Sequence, residues 1–372
     1  MTWHSVHVHF HDEERANRFA ATVVRRALAA TADAAPHAYF VRHWRRGPHF
    51  RLNFRTDAHT FSHEVLPRVR ETAERGMARL PSRGTARPTA ETVRAHRRLA
   101  WLEDDPCRLL PWRRDNSVTP EPYACRRAAL GEAGAGLLED FHVDTTALAL
   151  RMAGRSQTAP ERARTAFDLM VTTAHALSGL DVRDGFVSFR SHAETYLCTA
   201  PEGPALRPVW SARSRRDREA LAHRVRTLVR TLDDGDRGGT AAAGGLPAEW
   251  VRAATAVRQR AERLLTDGTL VLPAVGRSLA GPGVRDAPEY LLARSRFHRA
   301  LLQQRYFREV HRDSLPFALY RVMLNITYLQ LARIGVHAHE RFLLCHLAAD
   351  AVEHAFGVRA EDRIAWSAPA AP

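Results

Sequence analysis

The chain contains no lysine: all 55 of its basic residues are arginine. That absence removes whole chemistries. No side-chain Schiff base to a carbonyl or to pyridoxal phosphate can form, and no P-loop lysine exists to reach a nucleotide phosphate. Cysteine is scarce too, with Cys107, Cys125, Cys198 and Cys345 scattered through 372 residues and no CxxC pair. Their spacing suggests neither a disulfide framework nor a zinc knuckle. No apolar run is long enough to span a bilayer, and Met1 to Phe10 alternates apolar residues with histidine, so a soluble, cytoplasmic protein with no membrane partner is expected. HExxH and GxSxG are missing, and the glycines from Arg237 to Gly245 do not join a strand to a helix as a dinucleotide loop would.

What is present is a hydrophobic content of 45%, enough for a full core, over a length that favours two lobes. We place an α+β lobe with sheet and polar loops at 1–200 and a mainly helical lobe at 201–372, with a flexible linker at about 233–245. The net charge of +14 attracts anions. Nucleic acid and an acidic peptide both fit that field; no helix-turn-helix, zinc-finger or RRM signature accompanies it, and planar guanidinium groups suit carboxylates.

The first eighty residues read as strand, helix, strand, strand, helix. Val6, Val8 and Phe10 alternate with His7 and His9, and Ala16 to Leu28 carries apolar residues at helical spacing. Two strand-like runs, His37 to Trp44 and His49 to Arg55, flank the turn signal Arg-Arg-Gly-Pro. Phe50, Leu52 and Phe54 then face a core, and Arg51, Asn53 and Arg55 the other way. A second helix carries Phe61, Val65, Val69, Ala73 and Met77. This order predicts a ferredoxin-like, split βαβ antiparallel sheet. The prolines from Arg113 to Pro122 predict an irregular polar loop. Further helices are predicted over 89–102, 137–152, 159–177, 213–232, 248–266, 288–311, 316–334 and 339–356, and a strand-like segment over Gly185 to Leu197.

Twenty histidines invite a metal reading, but His7 with His9, His59 with His63, and His346, Asp350 and His354 lack a further partner at ligand spacing. No metal is predicted. Three polar groups remain: Arg42, His49, Arg51, Asn53 and Arg55 on the hairpin; Asp115, Asn116, Ser117, Glu121 and Tyr123; and Ser188, Arg190, Ser191, His192, Glu194 and Tyr196.

The run Tyr39-Phe40-Val41-Arg42-His43-Trp44-Arg45-Arg46-Gly47-Pro48-His49-Phe50-Arg51-Leu52-Asn53-Phe54 resembles the Phe-Ile-Arg-Tyr-x-x-x-x-Pro-His-Leu-Arg-Leu-Arg-Phe signature of the thiopeptide-type, SpaB C-terminal family. Trp3 to Val8 and Phe186 to His192 are similar to it as well. That family includes the elimination domain of lantibiotic dehydratases, which removes glutamate from glutamylated Ser or Thr, and the thiopeptide pyridine synthases. Two departures favour the second. Pro120-Glu121 is followed by Pro122, Tyr123 and Ala124 where elimination domains carry Pro-Glu-x-x-Arg-Tyr-Gly-Gly. Tyr328-Leu329-Gln330-Leu331-Ala332-Arg333-Ile334-Gly335-Val336 stands where they carry His-Met-x-x-Asn-Arg-Leu-Gly-Ile. An eliminase lacking both expected groups has lost its acid–base equipment.

The resemblance implies an elimination-domain-like fold and a formal [4+2] cycloaddition between two dehydroalanines of an azole-containing peptide, with loss of water and leader. It implies no metal or organic cofactor, an acidic-leader precursor peptide as partner together with other enzymes of its pathway, and no nucleic acid. Tyr328, Tyr320 and Ser314 are assigned to a proton relay, with His192 and Glu121 as secondary members. Arg42, Arg51 and Arg55 are assigned to docking the leader, with His49, Asn53, Asp115 and Arg190 as further binding residues. A stand-alone glutamate eliminase and a non-catalytic leader-binding scaffold are the alternatives.

Overall fold

The computed structural model describes residues 1–84, 88–102, 108–124, 127–236, 245–272, 294–304 and 313–364. Packing groups them into two units, Met1–Arg162 with Leu329–Val336, and Ala163–Tyr328 with His337–Pro372. The main boundary thus falls at 162/163 and not at 200/201, and a short stretch late in the chain joins the N-terminal unit. Of the expected linker, 233–236 continue a helix and 237–244 lie outside the described residues.

The first unit opens with β1 (Thr2–His9), then α1 (Ala16–Phe19, a π-wound turn Ala20–Val24, and Arg25–Ala29). The hairpin β2 (Ala38–His43) and β3 (His49–Thr56) follows, and then α2 (Ala58–Thr60, π-wound Phe61–Val65, and Leu66–Arg79). After α3 (Ala90–Leu102) comes β4 (Ser117–Glu121), and α4 (Arg127–Gly154) completes the set. The strands lie in the order β2-β3-β1-β4, all antiparallel, so β3 is inserted between β1 and β2 as a split βαβ unit requires. The expected sheet is therefore present.

β4 corrects the expectation of an irregular loop at 113–122. Pro120 is tolerated because β4 is an edge strand, paired to β1 alone, where a strand position without an N–H is accommodated.

The two faces of the sheet differ as the alternation predicts. Val6, Val8, Phe40, Phe50, Leu52 and Phe54 are buried on one face with Phe19 and Val24 of α1, each large side chain contributing about 1.5–3 kcal/mol. The opposite face is polar yet also covered, with Ser5, His9, His49 and Asn53 at most 4% exposed. His142 of α4 stacks on Tyr39 with centroids 5.1 Å apart, and His96 of α3 lies 5.2 Å from Trp44. Beneath these lies a tier of imidazoles in which His7, His9 and His43 lie 4.6, 4.9 and 5.5 Å from His49. Burial and the nearby arginines hold them neutral, pulling His7 down to about 3 and His9 to about 4, and His43 and His49 well below the usual imidazole range.

Leu329–Val336 enters this unit as a plug. Arg333, 1% exposed, donates to the Thr145 and Thr146 hydroxyls at 2.8 and 2.5 Å and lies 4.7 Å over the Phe40 ring, and burial lowers its pKa to about 9. Asn17 of α1 donates to the Ile334 carbonyl at 2.9 Å and accepts from Arg42 at 3.1 Å. Gly335 has φ +84°, and a Cβ there would sit 2.2 Å from Nη1 of Arg42. Gly335→Ala is therefore expected to destabilise the protein by about 1–3 kcal/mol through strain and displacement of Arg42. A denaturant midpoint equal to that of wild type would refute the fit.

The second unit is helical. α5 (Ala159–Thr172, then π-wound Thr173–Leu177) is followed by α6 (Val182–Gly185), α7 (Val187–Thr199) and α8 (Gly203–Asp236). α9 (Leu246–Thr266), α10 (Arg296–Gln303), α11 (Leu315–Arg333), α12 (Ala338–Phe356) and α13 (Ala360–Ile364) complete it. Only α10 is described within the expected 288–311 helix; 288–293 and 305–311 lie outside the described residues.

The strand-like reading of Gly185 to Leu197 is overturned, since this segment is α6 and α7. Phe189, Ala193 and Leu197 recur every fourth residue and are 0, 0 and 3% exposed, a helical stripe that explains the outcome. No helix among the described residues is long and apolar enough to cross a membrane.

Candidate functional site

The helical winding of α7 brings the candidate site together. Ser188, Ser191, His192 and Thr195 stand at helical offsets 0, 3, 4 and 7, and so share one side of α7. The last three meet a titratable group from another part of the second unit.

At the centre, the Tyr328 hydroxyl lies 2.7 Å from Nδ1 of His192 and 3.4 Å from Sγ of Cys345 on α12. Arg341 lies 4.6 Å over the Tyr328 ring and 4.9 Å over that of Phe342. Burial governs the protonation states. It lowers the His192 pKa to about 3, with Arg341 and His298 adding to the effect, raises Tyr328 well above the usual phenol range, and pushes the Cys345 thiol up to about 11. At neutral pH the site therefore holds a neutral imidazole against a protonated phenol. Tyr328 O–H donates and His192 Nδ1 accepts, a pair that can give one proton and take another without creating a buried charge.

One helical turn toward the start of α7, the Tyr320 hydroxyl donates to the Gly185 carbonyl at 2.7 Å. Burial raises the Tyr320 pKa as well. On the other side, Ser191 and Thr195 lie 3.0 and 3.3 Å from Nε2 of His298 on α10. Ser314 stands at the start of α11, where it accepts from the Phe317 and Ala318 amides at 3.4 and 3.0 Å.

The structure thus joins Tyr328 with His192 directly and places Tyr320 two turns earlier on the same helix. Glu121 belongs to the first unit, on β4, where Arg113 donates to it at 2.5 Å. Cys345, Arg341, Ser295 and His298 were not anticipated. Nothing in their own sequence neighbourhoods marks them, because they acquire meaning only from what α7 presents.

The residues assigned to binding do not form one group. Cross-strand register pairs Arg42 with Phe50 and Val41 with Arg51, so Arg42 shares the apolar face, while His49, Arg51, Asn53 and Arg55 lie on the opposite one. Arg42 turns inward onto Asn17, and burial lowers its pKa to about 10. Arg51 donates to the buried His49 ring at 3.2 Å. Arg55 is exposed and lines a shallow recess of about 460 Å³ with Trp3, Tyr123 and Glu139. Asp115 accepts from the His11 and Asn116 amides, each at 2.9 Å, shaping a loop in which Asn116 has φ +54°. Arg190 donates to Asp350 and Glu353 at 2.6 and 2.7 Å, clamping α7 to α12. Among the described residues no three His, Cys, Asp or Glu side chains converge as a metal site would require.

Comparison with known proteins places this architecture. Fourteen solved chains match it in structure. One, described as the pyridine synthase TbtD from thiomuracin biosynthesis, is 32% identical with a TM-score of 0.74 over 96% of this chain and 99% of its own. Another, TsrL, is 21% identical with a TM-score of 0.73, covering 100% of this chain and 99% of its own, a likeness of fold. No curated protein matches by sequence. The family model described as lantibiotic biosynthesis dehydratase C-term matches residues 3–352, and the chain belongs to that family.

Proposed function

We propose that this protein forms the pyridine of a thiopeptide by a formal [4+2] cycloaddition between two dehydroalanines of a leader-bearing peptide, followed by loss of water and of the leader as an amide. The observation that carries this reading is the 2.7 Å contact between the Tyr328 hydroxyl and the neutral His192 ring, in a chain 32% identical to a pyridine synthase across 96% of its length.

For one dehydroalanine to act as a 2-azadiene, its neighbouring amide must pass to the imidic-acid tautomer, which takes a proton from nitrogen and gives one to oxygen. A phenol donor beside an imidazole acceptor is suited to that exchange. Proximity of two distant alkenes on a flexible peptide is the larger contribution, and effective molarities of about 10⁵ M or more are available to a site that aligns them. The overall conversion is redox-neutral.

The test is mass spectrometry of a bis-dehydroalanine precursor before and after incubation. Loss of the leader amide and of one water, with a new pyridine chromophore, is the expected outcome. Glutamate loss from a glutamylated peptide would instead identify an eliminase, and tight peptide binding with no mass change a scaffold.

A further inference from the structure

We infer that Ser191 and His298 form a second proton-transfer pair in the site, separate from His192 and Tyr328, and that it serves the two departures following ring closure. This inference rests on the pyridine-forming reading.

The hydrogen-bond directions define the pair. Thr195 spends its hydroxyl proton on the Ser191 carbonyl at 2.8 Å, so its oxygen can only accept from the ring 3.3 Å away. Nε2 of His298 therefore carries the hydrogen and shares it between Thr195 and Ser191, the latter at 3.0 Å. Nδ1 is then the acceptor, and Ser295, 2.8 Å away, donates to it. Ser295 also caps α10, accepting from the His298 amide at 3.2 Å, so the ring is fixed at both ends. The result is a hydroxyl, half-buried on α7, that receives a hydrogen bond from the ring and keeps its own proton to offer outward. It is built as a donor rather than a nucleophile.

The two pairs divide the proton movements, His192 and Tyr328 taking the tautomer exchange and Ser191 and His298 the two departures. Ring closure leaves a hydroxyl on one ring carbon and the leader's amide on another. In the first departure Ser191 gives its proton to the hydroxyl oxygen, and the C–O bond breaks with its electron pair to release water. The ring C–H next to the ring C=N loses its proton to the Ser191–His298 pair; its electrons form a C=C bond, and the C=N electrons shift to join the nitrogen to the carbon that lost the hydroxyl. In the second, the C–N bond to the leader breaks, its nitrogen takes a proton from Ser191, and a neighbouring ring C–H returns one to the pair. Each step leaves the protein as it began. His192 and Ser191 are adjacent residues, so their side chains leave α7 about 100° apart and can address different atoms of one bound ring.

Ser191→Ala and His298→Gln are the decisive variants, assayed in the full chain with a bis-dehydroalanine peptide. Ser191→Ala leaves Thr195 as a partner for His298, and unchanged melting would certify its fold. Release of pyridine is expected to slow by about 10²-fold, with accumulation of a leader-bearing adduct that has the substrate's mass but no longer adds thiols at either alkene. Ser191→Thr should restore release. Wild-type release by both variants would overturn the inference. So would a stall in which both alkenes still react with thiol, because that block precedes ring closure. Failure of the wild-type protein to cyclise would instead strike the pyridine-forming reading.

Discussion

Tyr328→Phe is expected to lower the rate of pyridine formation by about 100-fold or more while leaving leader affinity within about twofold of wild type. The ring and its packing under Arg341 are kept, and only the hydroxyl is lost. His192 Nδ1 then loses its donor at 2.7 Å, and the tautomer exchange loses its acid. Loss of one hydrogen bond costs on the order of 1 kcal/mol of stability, too little to unfold the unit. Single-turnover kinetics at saturating peptide, with fluorescence anisotropy for the leader, separates the two effects. Turnover within about threefold of wild type would remove Tyr328 from the relay. Tyr320→Phe should have a smaller effect, because the Tyr320 hydroxyl already donates to the Gly185 carbonyl.

The second large effect is on stability in acid. His7 and His9 have folded-state values of about 3 and 4 against 6.5 when unfolded, so between these limits the unfolded chain binds more protons. Their contribution is fully present above about pH 6.5 and drains away as pH falls through that window. The groups around them reinforce this: Arg51, Arg113, Arg45 and Arg46 oppose protonation, and Asp115 opposes them only for His9. At roughly 1.4 kcal/mol per pKa unit the two rings account for several kcal/mol between pH 7 and pH 4, reduced somewhat because His7 is only partly buried. Thermal unfolding should show a much lower midpoint at pH 4.5 than at pH 7.5, and a His7→Gln, His9→Gln double variant should flatten that slope. Equal midpoints at the two pH values, or an undiminished slope in the variant, would contradict the assignment.

Much of the sheet was readable in advance. Two-residue alternation in β1 and β3 and the Arg-Arg-Gly-Pro turn each carry their own physics, and together they set the order of strands. β4 was hidden because proline forbids an inner strand and says nothing against an edge one. α7 mimics a strand because Ser188, Arg190, His192 and Glu194 alternate with other residues, while the four-residue spacing of Phe189, Ala193 and Leu197 is the helical signal the fold obeys. Arg42 and Arg51 share a charge but not a face, because strand register, and not residue type, decides which side of the sheet each enters. Tyr328 and His192 could be named singly, but their contact spans 136 residues and follows from how α7 and α11 pack. Cys345 and His298 had no local signal at all.

Burial raises the pKa of Cys345 to about 11 and also raises that of Cys198, so neither is appreciably ionised at neutral pH. A dehydroalanine is a conjugate acceptor that thiolates and free amines attack readily. A catalyst handling two of them in one cleft would alkylate itself if an active sulfur or a lysine amine stood nearby. Here the sulfur beside Tyr328 is kept as an unreactive thiol and no lysine exists, which is the protection the proposed reaction requires.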